Sequence, residues 1–323
     1  EEITVKLEGY GSEFDTSITA GMGAGDAPDV MYMWNYPLYH EGLEPLDDYI
    51  ASEGEEYRDN FYETTWNYNS IDDTIYGIPV GFTTHALYYN KDLFDAAGVD
   101  YPTNDWTWDD MVEKARALTK DDGSVYGIGA GFENQSYFYN TVYGNGGFIV
   151  NEDKTECGWD QPEAQQGVQD WVSLIEEGLS PDQASLEETH PASQFAAGRL
   201  AMCWAGSWNL PVFAESEIAE DIDLVELPDM PEGKATVIHG VGHAINSNTE
   251  VPELAEAFVK FLSGTESAQF SAETGAAIPS YAGMADAWKE NYPQYNLQAY
   301  LTAAEEYSYP YPASANTAEW LDY

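Results

Sequence analysis

The sequence predicts an α/β protein in two halves, and three observations carry that expectation. The first stretch of chain runs strand, helix, Gly/Pro turn, strand, the βαβ rhythm of a wound sheet. From Thr107 onward, segments with an apolar stripe at helical spacing alternate with short runs rich in β-branched and aromatic residues. Between Tyr76 and Tyr89 an extended stretch is broken by Gly81 and the hydroxyl pair Thr83-Thr84, which suits a crossing between globular halves. With 323 residues and 43% hydrophobic content, the chain is long enough for two cores.

Ile3–Leu7 alternates as a half-buried strand does. A helix is expected from about Ser12 to Gly23, with Phe14, Ile18 and Met22 on one face. The turn after it feeds an apolar strand ending in Trp34-Asn35-Tyr36. Ligands of wound sheets gather at the carboxyl ends of strands, so Trp34 and Asn35 are candidate site residues. Leu43–Ile50 reads as a short helix with Leu46 and Ile50 inward. Strands follow at Tyr76–Val80 and Ala86–Tyr89, then a helix from Lys91 that stops at Gly98, a C′ glycine. Thr107 caps the next helix with Asp110 three residues on, a relative of the capping box. Its apolar face is Trp108, Met111, Val112, Ala115 and Leu118, and a turn at Asp121-Asp122-Gly123 precedes the strand Tyr126–Ala130.

Ser136–Val142 is aromatic and polar by turns and leads into Tyr143-Gly-Asn-Gly-Gly147. No Lys-Ser/Thr follows that loop and no G-x-G-x-x-G fits it, so it is a poor phosphate cradle. The helix Pro162–Glu177 is expected to bury Val168, Trp171, Val172 and Ile175 and to end at Gly178. A short helix then stops at Gly198, and a strand through Trp204 ends in Gly206-Ser207-Trp208. Trp204 is core by pattern, whereas Trp208 follows a turn and can serve either as a ligand platform or as packing. In the extended run Val237–Ile245, Gly240 and Gly242 mark close approach of a ligand or of another chain segment. The helix entered at Pro252 is expected to bury Leu254, Phe258, Phe261 and Leu262, with Gly264 at its end. Pro279–Tyr281 forms a turn, and the tail from Tyr307 is rich in Tyr and Pro, with a helical pattern beginning at about Thr317.

The charge balance excludes whole classes of partner. Against 11 basic residues stand 58 acidic ones, a net charge of −47, so nucleic acid and anionic lipid are repelled. Dispersed among apolar residues, these charges describe a folded acidic surface suited to high salt or a crowded envelope or gut setting. No Asp-x-Asp-x-Asp-Gly calcium loop occurs, and no Cys/His cluster has metal-ligand spacing. His239 and His243 are separated by two glycines and do not share a helix. Cys157 and Cys203 would pair only in an oxidising compartment; Cys203 lies in an apolar run and reads as a buried thiol. No run of ~18 apolar residues suggests a membrane span, and a soluble chain is expected. Neither a metal nor a cofactor is expected.

In their order and spacing, several of these segments resemble the extracellular solute-binding proteins of carbohydrate ABC importers, the maltose-binding-like family. They are Ala24-Gly-Asp-Ala-Pro-Asp-Val30, Tyr76-Gly-Ile-Pro79, Leu87-Tyr-Tyr-Asn-Lys-Asp-Leu-Phe94, Phe195–Met202 with Gly206-Ser-Trp208, and Gly240–Ile245 before the Pro252 helix. The resemblance implies a two-lobe periplasmic-binding-protein-like fold of type II, hinge-connected, with ligand in the cleft. The lobes would comprise residues 1–84 plus 243–280 and residues 85–242 plus 281–323. Crossings would lie at Gly81–His85, Gly240–His243 and near Pro279. By the family pattern, the chain would be expected to lack the first strand and helix and the C-terminal helices.

By the same resemblance, Trp34 and Asn35 would close one wall of the cleft. Thr83, Thr84 and His85 with Gly240 and Gly242 would form the hinge floor, Tyr137 or its neighbours and Trp208 the opposite wall, and Trp320 a stacking aromatic. The implied function is a non-catalytic, monomeric receptor for a sugar or oligosaccharide, extracellular and lipid-anchored, delivering to ABC permease subunits. Two rivals stand beside it: the same fold taking a polyamine, amino acid or metal complex, and a glycosidase using two carboxylates. Abundant acids make a chance pair easy, but no acid sits in a pocket-forming motif and no Gly-x-Ser-x-Gly occurs.

Overall fold

In the computed structural model of the chain, residues 4–10, 13–54, 56–151, 153–275 and 277–312 are described. Eleven strands occur among them. They are β1 (Val30–Met33), β2 (Ser70–Ile71), β3 (Thr74–Ile75), β4 (Ile78–Thr83), β5 (His85–Asn90) and β6 (Tyr126–Ile128). The remainder are β7 (Leu200–Gly206), β8 (Ile222–Val225), β9 (Thr236–Ile245), β10 (Ile278–Pro279) and β11 (Ser308–Pro310). One sheet has the order β1-β9-β4-β10 with β11 also on β9; the other has the order β6-β7-β5-β8. Between β4 and β5 a single residue, Thr84, separates the two sheets.

The local signals for helix ends hold. The helix Lys91–Ala97 begins on Asn90, whose side chain accepts from Leu93 N, and ends at Gly98 in the left-handed region at φ 67°. The helix Trp108–Leu118 carries a full capping box between Thr107 and Asp110, and buries Met111, Ala115 and Leu118. Phe14–Ala24, with Ile18 buried, replaces the expected Ser12–Gly23, and Asp47–Glu53 lies slightly later than expected, with Leu46 and Ile50 buried.

Three expectations fail for physical reasons. Residues 4–7 form no strand, and Leu7 is 93% exposed: alternation produces a strand only where a sheet offers a partner and a face to bury. In the helix Pro162–Glu176 the buried positions are Ala164, Gly167, Trp171 and Leu174, because Gly167 packs against the backbone of Val142. A Cβ at Gly167 would lie 2.4 Å from Val142 Cα, so this face is selected for small size. In the helix Pro252–Leu262, Ala255 and Val259 are buried while Leu254 and Phe261 point outward. The cysteines are free: Cys157 is exposed, and Cys203 is buried in β7, where burial raises its thiol pKa.

Apolar packing spans the two sheets. One core cluster joins Phe82 of β4 and Ile238 of β9 to Tyr88 and Cys203 of the second sheet and to Trp288 and Tyr300 of the late helices. Thr84 is fully buried there, its hydroxyl donating to the Tyr300 carbonyl at 2.8 Å. Alongside it, His85 N donates to Thr236 Oγ1 at 3.0 Å, which ties the start of β5 to the start of β9.

Candidate functional site

Two strands end nose to nose on one edge of β9. Antiparallel β1 finishes opposite Gly242, and parallel β11 finishes opposite Ile238. Between those points β9 presents His239, Gly240 and Val241, and the residues just past each strand end turn toward His239. Trp34, after β1, meets the imidazole edge-on at 5.5 Å; Tyr311, after β11, stacks on it at 4.7 Å and lies 6.2 Å from Trp34. Tyr311 N donates to the Ile238 carbonyl at 2.9 Å, which holds the tail in place beyond the last strand residue.

A cleft of about 630 Å³ opens over this junction, within the usual size range of small-molecule sites. Its aromatic walls are Trp34, Tyr68, Tyr143, Phe148, Tyr309 and Tyr311. Tyr309 stacks nearly parallel on Tyr143, with 4.5 Å between centroids and 9° between planes, linking the tail to the helix Phe138–Gly144. Polar groups are few: Asn67, Ser70, Asn151, Lys154 and His239. No Asp or Glu is among the described lining residues, although the chain carries 58 acids. Burial lowers the His239 pKa to about 4, opposed by a hydrogen bond to the Trp34 backbone, so the ring is neutral at pH 7. The described lining offers ring faces, amides, a hydroxyl and the Lys154 amine, and no carboxylate.

A family profile described as bacterial extracellular solute-binding protein matches residues 1–269. The chain belongs to this family. An ABC substrate-binding protein of Listeria monocytogenes, solved in complex with cycloalternan, superposes with a TM-score of 0.89 at 26% identity, covering 97% of this chain and 81% of that one. The fold is therefore the two-lobe, type II architecture. The arabinooligosaccharide-binding protein of Halalkalibacterium halodurans is 26% identical over 262 residues, 78% of this chain and 57% of the relative. A Brucella abortus protein named only as a binding protein is 29% identical over 230 residues, 70% of this chain and 52% of the relative. The chain thus spans between half and three fifths of the length of these curated relatives.

Within this solute-binding fold the residues expected at the site separate into groups. Trp34 lines the cleft. Asn35 is 1% exposed, and its Oδ1 accepts from Leu38 N to cap the helix Tyr36–Tyr39. Thr83 is half-buried, its Oγ1 3.5 Å from Gln135 Nε2, while Thr84 and His85 have no exposed surface. Tyr137 is a core residue stacked on Trp171, 1% exposed: it turns into the apolar cluster of Leu87, Trp171, Met202 and Trp204. Trp208 folds back over Gly206 and sits edge-on to His85 at 5.5 Å. Gly240 and Gly242 make room for Tyr68, Asn69 and Tyr36, so the close approach at these glycines is by other chain segments. Trp320 lies outside the described residues.

Tyr68, Tyr143, Phe148, Tyr309 and Tyr311 were not anticipated at the site. The Tyr-Pro-Tyr-Pro run at 309–312 was the one available signal, since proline-spaced aromatics hold an extended segment with its rings splayed. Among the described residues no cluster of three or more His, Cys, Asp or Glu could hold a metal, and no helix is long and apolar enough to cross a membrane.

Proposed function

We propose that this chain is the receptor component of an ABC importer, binding a short oligosaccharide in the cleft between its lobes and delivering it to the permease subunits. The observation that carries this reading is an aromatic-walled cleft with no Asp or Glu among its described lining residues, in a molecule of net charge −47. Sugars present apolar C–H faces and a rim of hydroxyls, which suit ring platforms flanked by Asn67, Ser70 and Asn151. A polyamine would need carboxylates facing it, and a glycosidase would need two of them flanking the bond to be cut. Their absence among the described lining residues favours the sugar reading and a receptor over an enzyme. The cycloalternan complex and the arabinooligosaccharide-binding relative support the same ligand class.

In this reading the lobes comprise residues 1–84 plus 243–280 and residues 85–242 plus 281–323. The passage from β4 to β5 through Thr84 supports the first boundary, while pairing of all of β9 with the first sheet draws the second toward Thr236. Closure is a hinge motion driven by contacts made only in the closed state. The receptor acts outside the cell as a monomer, held to the membrane by a lipid anchor, and has no nucleic-acid partner.

Tryptophan fluorescence and thermal unfolding, followed across a panel of cycloalternan, maltotriose and an arabinooligosaccharide, test the proposal. At least one sugar is expected to quench Trp34 and to raise Tm by mass action. Trp34→Ala is expected to remove most of the quenching and to weaken binding about tenfold or more. A wider glycan panel that produces neither signal would overturn the sugar assignment.

A further inference from the structure

The glycines of β9 make room for the protein's own side chains. Neither Gly240 nor Gly242 has positive φ, so backbone conformation does not select them. Space does. A Cβ at Gly240 would lie 2.6 Å from Tyr68 Cδ2 and 3.1 Å from Tyr68 Cβ and Cγ. One at Gly242 would lie 2.0 Å from Asn69 Oδ1 and 2.6 Å from Tyr36 OH. Residues 68 and 69 therefore seat against two bare positions of one strand. Asn69 is also fixed from its own side, with its Nδ2 donating to the Thr65 carbonyl at 2.7 Å and Tyr76 N donating to its carbonyl at 2.9 Å. Tyr68, the neighbour of this anchored residue, lines the cleft together with His239, which is adjacent to Gly240 in β9.

We propose that Gly240 is a positioning residue, setting the depth of the Tyr68 ring in the cleft wall and hence the width of the sugar subsite facing Trp34, His239 and Tyr311. The inference rests on the oligosaccharide reading. Any side chain at 240 must drive the Tyr68 ring most of an ångström from its seat. The contacts at Tyr68 Cβ and Cγ prevent a simple ring flip from absorbing the clash. Binding sites tolerate displacements of only about 0.5 Å, so a single methyl at 240 narrows the subsite without touching the ligand.

The test uses the wild-type chain, Gly240→Ala, Tyr68→Ala and the double variant, with calorimetric titration of cycloalternan, maltotriose and an arabinooligosaccharide, and crystal structures of the ligand-free proteins. Gly240→Ala is expected to displace the Tyr68 ring into the cleft with β9 unmoved and to raise Kd about tenfold. In the Tyr68→Ala background the same substitution is expected to change Kd by less than about twofold, because the ring, with the nearest atom Cδ2 at 2.6 Å, is gone and only the 3.1 Å contact to Cβ stays. Additive losses, or a Gly240→Ala structure in which β9 shifts and the ring stays, would overturn the inference. Should Gly240→Ala fail to fold, the double variant, which lacks the ring and keeps only the 3.1 Å contact to the Cβ at 68, is expected to fold and to match Tyr68→Ala in affinity; a weaker double variant would count against the proposal. If no sugar binds the wild-type chain, the function reading is what fails. The ligand-free structures then judge the placement of Tyr68 by themselves.

Discussion

His85 ought to make this protein acid-sensitive by an amount that can be isolated. Its side chain has no exposed surface, its Nε2 has no partner among the described residues, and its Nδ1 lies 3.3 Å from Thr236 Oγ1. The Trp208 ring meets it edge-on. Desolvation pushes the imidazole pKa down to about 3; a backbone hydrogen bond at Val237 opposes the shift, and His239 adds to it. The folded state therefore holds His85 neutral, whereas the unfolded chain takes up a proton near pH 6.5. A proton bound only by the unfolded state costs stability. The contribution is whole above pH 6.5 and is lost as pH falls toward about 3. Once the unfolded histidine is charged the slope is about 1.4 kcal/mol per pH unit, so a change from pH 7 to pH 5 removes about 2 kcal/mol.

The pH curve of the wild type alone would not show this. At net −47, protonation of carboxylates relieves self-repulsion as pH falls and works in the opposite direction. The comparison that isolates the term is wild type against His85→Phe, which keeps a ring edge-on to Trp208 and cannot titrate. Denaturant unfolding followed by circular dichroism at pH 7 and pH 5 is expected to show the wild type losing about 2 kcal/mol more than the variant. Parallel losses in the two proteins would refute the reasoning.

Two further predictions rest on charge and on capping. Raising salt from about 0.15 M to 1 M shortens the Debye length from about 8 to 3 Å. Tm should therefore rise, since self-repulsion among 58 acids is screened faster than the few exposed ion pairs lose strength. A calorimetric scan in which Tm falls with salt would count against a repulsive surface. Thr107→Ala removes the hydroxyl that accepts from Asp110 N at 3.2 Å, and with it half of a reciprocal capping box. It is expected to cost about 1 kcal/mol in denaturant unfolding at pH 7, and an unchanged midpoint would refute the cap.

What the sequence disclosed and what it withheld divide along one physical line. Features fixed by a few neighbouring residues were legible. Asn90 and Gly98 bracket a helix, Thr107 opens another, and the aromatic after β1 arrives at the cleft because the carboxyl ends of strands in wound sheets generally face crevices. Features chosen by packing partners were not. The inner faces of Pro162–Glu176 and Pro252–Leu262 include the small residues Ala164, Gly167 and Ala255, while Val172, Leu254 and Phe261, expected inward, are not among the buried residues. Close approach of one backbone to another selects small residues, and a hydrophobic stripe cannot signal that. The hairpin β2–β3, which brings Ser70 and Ile71 to the cleft, turns through Asp72-Asp73 at φ 48° and 66° with no glycine to announce it.

The same line explains why Trp34 could be placed at the cleft from the sequence and its neighbours there could not. Trp34 follows a strand that its own sequence makes recognisable; Tyr311 matters only because a tail strand some 280 residues later ends at the same edge of β9. Strands of opposite direction along one edge bring their carboxyl ends together, and each end supplies a ring to the imidazole between them. The cleft is thus a product of topology in a way that no motif of the family-like segments encodes. A consequence follows for the glycines of β9. A strand that must carry ring-bearing ends on its edge and accept Tyr68 and Asn69 on its face has no volume left for side chains at 240 and 242. Glycine at these positions is accounted for by the protein's own side chains, with no ligand contact required.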